Sequence, residues 1–210
     1  MKTVAASAAA LALLALSVPA SAQNFTINSG YALTSTYIEY GRPLGSPRAS
    51  IQGYSEIESN GFYLGGKFAS VRLGPDRLES DIYAGYRNSV GALSYDFGYK
   101  RTFYNQTGNC CGEVSLALGV AAPFGMTFGT NLIYEHTNSF YVASVSAAYD
   151  FNTMFGVSAE YGRVESSHNF WNLGVTVTPM ANTAIDLRYH DSDGDEGRLV
   201  GTVSYDFSLR

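Results

Sequence analysis

The stretch Leu93-Ser94-Tyr95-Asp96-Phe97-Gly98-Tyr99-Lys100-Arg101-Thr102-Phe103 alternates apolar and small or polar residues almost without a break. Leu93, Tyr95, Phe97, Tyr99 and Phe103 fall on one parity, and Ser94, Asp96, Gly98, Lys100 and Thr102 on the other. Successive side chains of a strand point to opposite faces, so a period of two marks a strand whose faces meet different surroundings; an amphipathic helix would instead repeat at three and four. Upstream, Phe25, Ile27, Tyr31 and Leu33 oppose Thr26, Asn28, Gly30, Ala32 and Thr34 in the same manner. Turn residues used as punctuation predict strands over 25–38, 48–58, 61–71, 79–88, 91–104, 112–121, 124–136, 139–151, 154–164, 168–178, 182–190 and 197–209.

The connections fall into two alternating classes. Those after the second, fourth, sixth, eighth and tenth strands are tight, at Ser59-Asn60, 88–91, 123–125, Asn152-Thr153 and 179–182. Those after the odd strands are longer or more polar, at 41–47, 73–78, 105–112, 165–168 and 191–197, with the short Thr137-Asn138 as the exception. An even strand number with short turns at one end and longer loops at the other is the plan of outer-membrane barrels, whose turns are periplasmic. Ten residues at ~3.3 Å each, tilted by ~40°, rise about 25 Å, the height of the apolar band of such barrels.

Composition agrees. The 210 residues are 46% hydrophobic and 14% aromatic, with only 15% charged, against about a quarter charged in soluble chains. Intrinsic disorder is excluded by these values, and a net charge of −5 without a Lys/Arg cluster offers a nucleic acid nothing to condense on. At the amino terminus Lys2, the apolar run from Val4 to Val18, Pro19 and Ala20-Ser21-Ala22 follow the order of a secretory signal. The predicted organisation is a signal peptide at 1–22, cleaved after Ala22, and one barrel domain at 23–210. No later stretch is long and apolar enough for a spanning helix, so any membrane span has to be β.

Alternation alone does not say which face meets lipid, since a soluble barrel has the same period with its faces exchanged. The polar parity uses Gly85, Gly98, Ala117, Gly119, Ser144, Ser158 and Gly174 where a soluble exterior would use Lys and Glu. The apolar parity carries aromatics near strand ends: Tyr37, Tyr95, Phe103, Tyr134, Tyr149, Trp171, Tyr189, Tyr205 and Phe207. Rings with a polar edge favour the membrane–water boundary, and these residues are expected to form two girdles. The inward parity then collects the acids Glu56, Glu58, Asp81, Asp96, Glu113, Glu135, Asp150, Glu160, Asp186 and Asp206 and the bases Lys67, Arg87, Lys100, Arg188 and Arg198. On the outward parity Arg101 and His136 are out of place, and Arg101 lies late enough in its strand to snorkel.

Gly30-Tyr31-Ala32-Leu33-Thr34-Ser35-Thr36-Tyr37 with Gly41, Ile51-Gln52-Gly53, Asn60-Gly61-Phe62-Tyr63-Leu64-Gly65, Asp81-Ile82-Tyr83-Ala84-Gly85-Tyr86 and Tyr95-Asp96-Phe97-Gly98-Tyr99 resemble the proteobacterial TorF-type porin family, whose older label is Gcw_chp. The motifs cover the first half of the mature chain; the second half is similar only in strand pattern. The resemblance implies an outer-membrane barrel with a pore role and no catalytic residues. Tyr40 stands where that family usually has an Arg before the Gly matched by Gly41, so an anion-directing role does not carry over. The chain also runs past Phe207 to Arg210, so an internal Tyr205/Phe207 pair is expected to serve the barrel-assembly machinery.

Other chemistry is weakly supported. His136, His168 and His190 lie near the predicted outer rim without a nucleophile motif. Asp191-Ser192-Asp193-Gly194-Asp195-Glu196 opens like a calcium loop but has Glu196 and Thr202 where such a loop needs Gly and Glu. The adjacent Cys110 and Cys111 suit neither a disulfide framework nor a zinc site, and their redox state is left open. Asn24-Phe25-Thr26 and Asn105-Gln106-Thr107 fit the glycosylation pattern but carry no weight in a chain of bacterial character.

The sequence thus predicts an all-β, twelve-stranded antiparallel up-and-down transmembrane barrel of the outer membrane, no enzyme, with no cofactor or metal. Its expected role is passive diffusion of small hydrophilic solutes or ions through a narrow lumen lined by Lys67, Arg87, Asp96, Lys100, Glu135, Glu160, Asp186 and Arg188, with a mild cation preference. The expected partners are outer-membrane lipid and lipopolysaccharide, the assembly machinery, and the solutes themselves. The alternative is a structural or adhesive barrel with a plugged lumen.

Overall fold

A computed structural model describes residues 25–209; the predicted signal peptide and its cleavage site lie outside the described residues. The strands are β1 (Thr26–Thr34), β2 (Ile38–Glu39), β3 (Arg42–Pro43), β4 (Ser50–Ser59), β5 (Phe62–Leu73), β6 (Asp76–Val90), β7 (Leu93–Tyr104), β8 (Gly108–Ala122), β9 (Met126–Glu135), β10 (Phe140–Asp150), β11 (Phe155–Val164), β12 (His168–Met180), β13 (Thr183–Ser192) and β14 (Arg198–Leu209). Twelve of them, β1 and β4 to β14, pair antiparallel with their chain neighbours, and β1 closes on β14 through pairs such as Tyr31–Tyr205. Closure leaves no strand edge, which is the condition for crossing a bilayer in β form.

The barrel is inside out relative to a soluble one. Among the described residues six apolar ones are buried, against thirteen buried polar or charged ones that include Glu56, Glu79, Asp81, Glu113 and Glu135. Leu33, Ile51, Leu64, Ile82, Phe97, Leu132, Val145, Leu173, Leu187 and Val203 are exposed on the outer surface. Burying that band in acyl chains is the hydrophobic driving force available to this molecule, and it makes the protein an outer-membrane barrel. The nine predicted girdle aromatics keep the outward parity except one. Tyr134 stacks on Tyr141 (4.7 Å between ring centroids), Trp171 and Tyr189 pack at a tilt (5.5 Å), and Tyr149 meets Phe151 edge-on (4.8 Å).

The exception is Tyr37. The first strand, predicted over 25–38, leaves the barrel wall after Thr34, with one further ladder bond from Ser35 N to Gly201 O (2.8 Å). Residues 35–49 then fold into the lumen as the β2–β3 hairpin. Its turn is Tyr40-Gly41, both at positive φ (47° and 80°), the combination that closes a two-residue hairpin turn. Tyr37 therefore faces buried charges and has no place in a lipid-facing girdle.

Candidate functional site: the barrel lumen

Seven of the eight residues predicted to line the lumen project into it as ion pairs or hydrogen-bonded groups. At the short-turn end Arg87 is the hub: its guanidinium lies 2.8 Å from Glu56, 3.8 Å from Glu58 and 3.8 Å from Asp96. It also stacks 4.0 Å above the ring of Tyr63, whose hydroxyl donates to Asp96 (2.6 Å). On the opposite wall Arg188 pairs with Asp186 (3.0 Å) and donates to Asn172 Oδ1 and Ser158 Oγ, while Asn172 donates to Glu160 (2.9 Å). Toward the longer loops, Lys100 pairs with Glu113 (3.0 Å) and Lys67 lies 4.0 Å from Asp81.

Glu135 departs from the expectation. It is on the inward parity but only 2% exposed, with its carboxylate accepting from the backbone N–H of Thr137 (2.8 Å) and of Asn138 (2.7 Å). The tight turn beside it leaves amides that need an acceptor, and Glu135 supplies one instead of lining water.

The inserted hairpin organises the upper lumen. Tyr37 donates to Glu79 (2.9 Å) and accepts from Lys67 (2.8 Å), and Tyr104 donates to the second oxygen of Glu79 (3.1 Å). Tyr40 donates to Glu113 (3.1 Å), and its carbonyl bonds His168 Nε2 (2.8 Å). Tyr40 also packs on an inward apolar patch of Ile133, Phe140, Val142, Val164 and Phe170. Gly41 sits so close to Phe170 that a Cβ there would lie 2.3 Å from the phenylalanine Cβ. Arg42 reaches across to Ser192 Oγ and to the Asp193 carbonyl. The hairpin thus bridges from β5–β8 to β12–β13 across the lumen. Below it the barrel opens, with cavities of about 920, 500 and 490 Å³ at the short-turn end lined by Glu58, Arg87 and Asp96, by Asp150, and by Asp206 respectively.

Glu39, on this connection between membrane strands, was not singled out from the sequence, nor was Glu79. Parity carried back two residues from Asp81 reaches Glu79; for Glu39, the even alternation through residue 40 gave no sign of the inward fold. Burial pushes the Glu39 carboxyl up to about 7; Glu79 and Glu113 act in the same direction, while Lys100 and Lys67 oppose it. A carboxyl raised above its ordinary 4.5 holds its proton in the seated hairpin, so seating is favoured at low pH and that advantage is lost as pH rises from about 4.5 through 7. Single-channel conductance is expected to increase over that window and to lose the dependence in Glu39→Gln; a flat profile in the unmodified protein would reject the assignment.

The remaining candidates are dispersed. His136 stacks outside on Tyr99, His168 holds the hairpin, and His190 borders a 130 Å³ cavity under Tyr40. Among the described residues no group of three or more His, Cys, Asp or Glu is arranged to hold a metal ion. In the 191–196 segment, Asp193 accepts from Asn169, which holds its carboxyl below the usual range, and Asp195 pairs with Arg198. Cys110 and Cys111 are bonded to each other where the β7–β8 register shifts. Arg101 donates to Asn109 Oδ1 (2.7 Å) at the rim.

A closed twelve-stranded barrel with an apolar exterior and a charged lumen is the architecture of the smaller outer-membrane porins. Solved structures share it: the KdgM porin (TM-score 0.66, 11% identity, 87% of this chain and 99% of that one), the KdgM porin in complex with disordered oligogalacturonate (0.67, 12%, 87% and 99%), and the NanC porin in a rhombohedral crystal form (0.53, 8%, 89% and 100%). At these identities the likeness is one of fold. No curated protein matches the sequence. The chain belongs to the Gcw_chp family, described as bacterial protein of unknown function, which it matches over residues 18–208.

Proposed function

We propose that this barrel is a non-enzymatic porin of the TorF type its motifs resemble, passing small hydrophilic solutes or ions through a lumen that the 35–49 connection narrows. The observation that carries the reading is the surplus of lumen carboxylates. Lys67, Arg87, Lys100 and Arg188 are each matched to an acid, whereas Asp150, Glu160 and Asp206 have no basic partner among the described residues. In a narrow low-dielectric channel that surplus concentrates cations and depletes anions, giving a mild cation preference. Oligogalacturonate, named with one of the similar porins, is a polyanion, and such acidic oligosaccharides are on this electrostatic ground poorer solutes here than neutral or cationic ones.

Lipid and lipopolysaccharide around the apolar band, and the assembly machinery acting on the Tyr205/Phe207 pair, are the partners this reading requires. Its test is the reversal potential of the protein in planar bilayers under a salt gradient. A cation-selective potential with discrete steps is expected. Anion selectivity would reject the lumen assignment, and an absence of steps would favour the plugged, structural barrel, a reading that the hairpin's anchoring on both walls supports.

A further inference from the structure

Toward the short-turn end, two tyrosines of the lumen wall are built into the same unit. Tyr63 on β5 lies over Gly85 and Gly98, where a Cβ would fall 2.5 Å from its Cζ and 2.8 Å from its Oη, and its hydroxyl donates to Asp96 (2.6 Å). Tyr54 on β4 lies over Gly30, where a Cβ would fall 2.6 Å from its Cε1, and its hydroxyl donates to Asp206 (3.0 Å). In both, a glycine without a side chain lets the ring settle against the backbone, and the hydroxyl ties the ring to a carboxylate. A ring held in this way turns its opposite face, which is electron-rich, to the lumen.

The first unit is filled by the chain itself. The Arg87 guanidinium stands 4.0 Å above the Tyr63 ring and 3.8 Å from Asp96, so one cation meets the ring and the carboxylate together. The second is not: among the described residues no Lys or Arg lies over Tyr54 or pairs with Asp206. It opens on a cavity of about 490 Å³ lined by Asn28, Asn182, Thr183 and Ser208 as well as Tyr54 and Asp206, and by no basic residue. That volume is within the range of small-molecule sites, about 300–1,000 Å³. The Asp206 side chain is exposed, so a solute in the cavity reaches its carboxylate. The unit is a product of barrel closure, because Gly30 on β1 is the register partner of both Tyr54 on β4 and Asp206 on β14.

We propose that Tyr54 and Asp206 bind the cationic head of an organic solute, a quaternary ammonium or guanidinium group, in the position that Arg87 takes on Tyr63 and Asp96. The assignment rests on the porin reading, in which this end of the lumen is open to solutes, and it names a solute class for that lumen. A neutral solute gains from the ring alone and an anion is repelled by Asp206, whereas an organic cation gains from both.

The purified barrel in maltoside micelles, whose headgroups are uncharged, would be titrated by NMR with choline and with dimethylbutanol, the isostere in which carbon replaces the quaternary nitrogen. Choline is expected to bind about tenfold more tightly. Tyr54→Leu and Asp206→Asn are each expected to lose most of that preference. Asp150→Asn, which removes an equal charge from the same end of the lumen, is expected to keep it. An undiminished preference in Tyr54→Leu, or an equal loss in Asp150→Asn, would show that the carboxylate surplus alone gathers cations and would overturn the site. Equal affinity of the unmodified protein for choline and its isostere overturns it without reference to any variant. Single-channel recordings on the same sample separate the two readings. Steps without a choline preference remove this site and leave the porin; a preference without steps keeps the site, in a barrel closed above it.

Discussion

Replacing residues 36–47 by a short Gly-Ser linker is expected to raise the single-channel conductance several-fold and to leave the barrel folded. The hairpin crosses the lumen between opposite walls, and its removal deletes Tyr37, Glu39 and Tyr40 from the path together with their hold on Glu79 and Glu113. The wall itself is carried by twelve ladders that the β2–β3 hairpin does not join, so the heat-modifiable migration of a folded barrel should persist. A point substitution makes the same test more sharply. Gly41→Val places a β-branched side chain at φ 80° and against Phe170, so the turn cannot keep its seat on the Ile133–Phe170 patch. Partial opening, between the unmodified and deleted proteins, is expected. Unchanged conductance in both variants would mean that the path of least resistance does not pass the hairpin.

Arg87→Ala is the second large effect, and it acts on stability and selectivity at once. Glu56 is 6% exposed and its closest cationic contact is Arg87, so truncation leaves a buried carboxylate without its counter-charge. A wholly buried pair broken in this way costs about 3–5 kcal/mol; the guanidinium here is partly in water, which brings the expected loss to about 2–3 kcal/mol. Stacking on Tyr63 is lost as well. The change is read as a lower denaturant midpoint for the folded form in micelles. Removing one positive charge from a lumen already rich in carboxylates should also move the reversal potential further toward cations. A variant as stable as the parent, with unaltered selectivity, would show that Glu56 and Asp96 are neutralised in some other way.

The barrel wall was legible because its two environments are imposed on every second residue. Leu93 to Phe103 reports lipid on one side and polar lumen on the other independently of anything distant in the chain, and each of the twelve predicted strands has its counterpart in the fold. Parity is local in the same way for the direction of Lys67, Arg87, Asp96, Lys100, Glu160, Asp186 and Arg188, which make their ion pairs and hydrogen bonds on the inner side of the wall. It misjudged Glu135, since parity gives the direction of a side chain and not the amides that await it. Residues 35–40 were misread for a related reason: Ser35, Thr36, Tyr37, Ile38, Glu39 and Tyr40 continue the alternation of β1, and an inward hairpin strand has the same period as a wall strand.

The sequence by itself determined the strand number, the lipid-facing rows and the charged character of the interior, because each follows from period and composition within a strand. The tertiary structure alone decided where the first connection goes and which acids are neutralised across the barrel. Those depend on residues far apart in the chain, such as Tyr40 with Glu113 and Arg42 with Ser192. They meet only once closure of β1 on β14 brings the opposite walls within reach of one another.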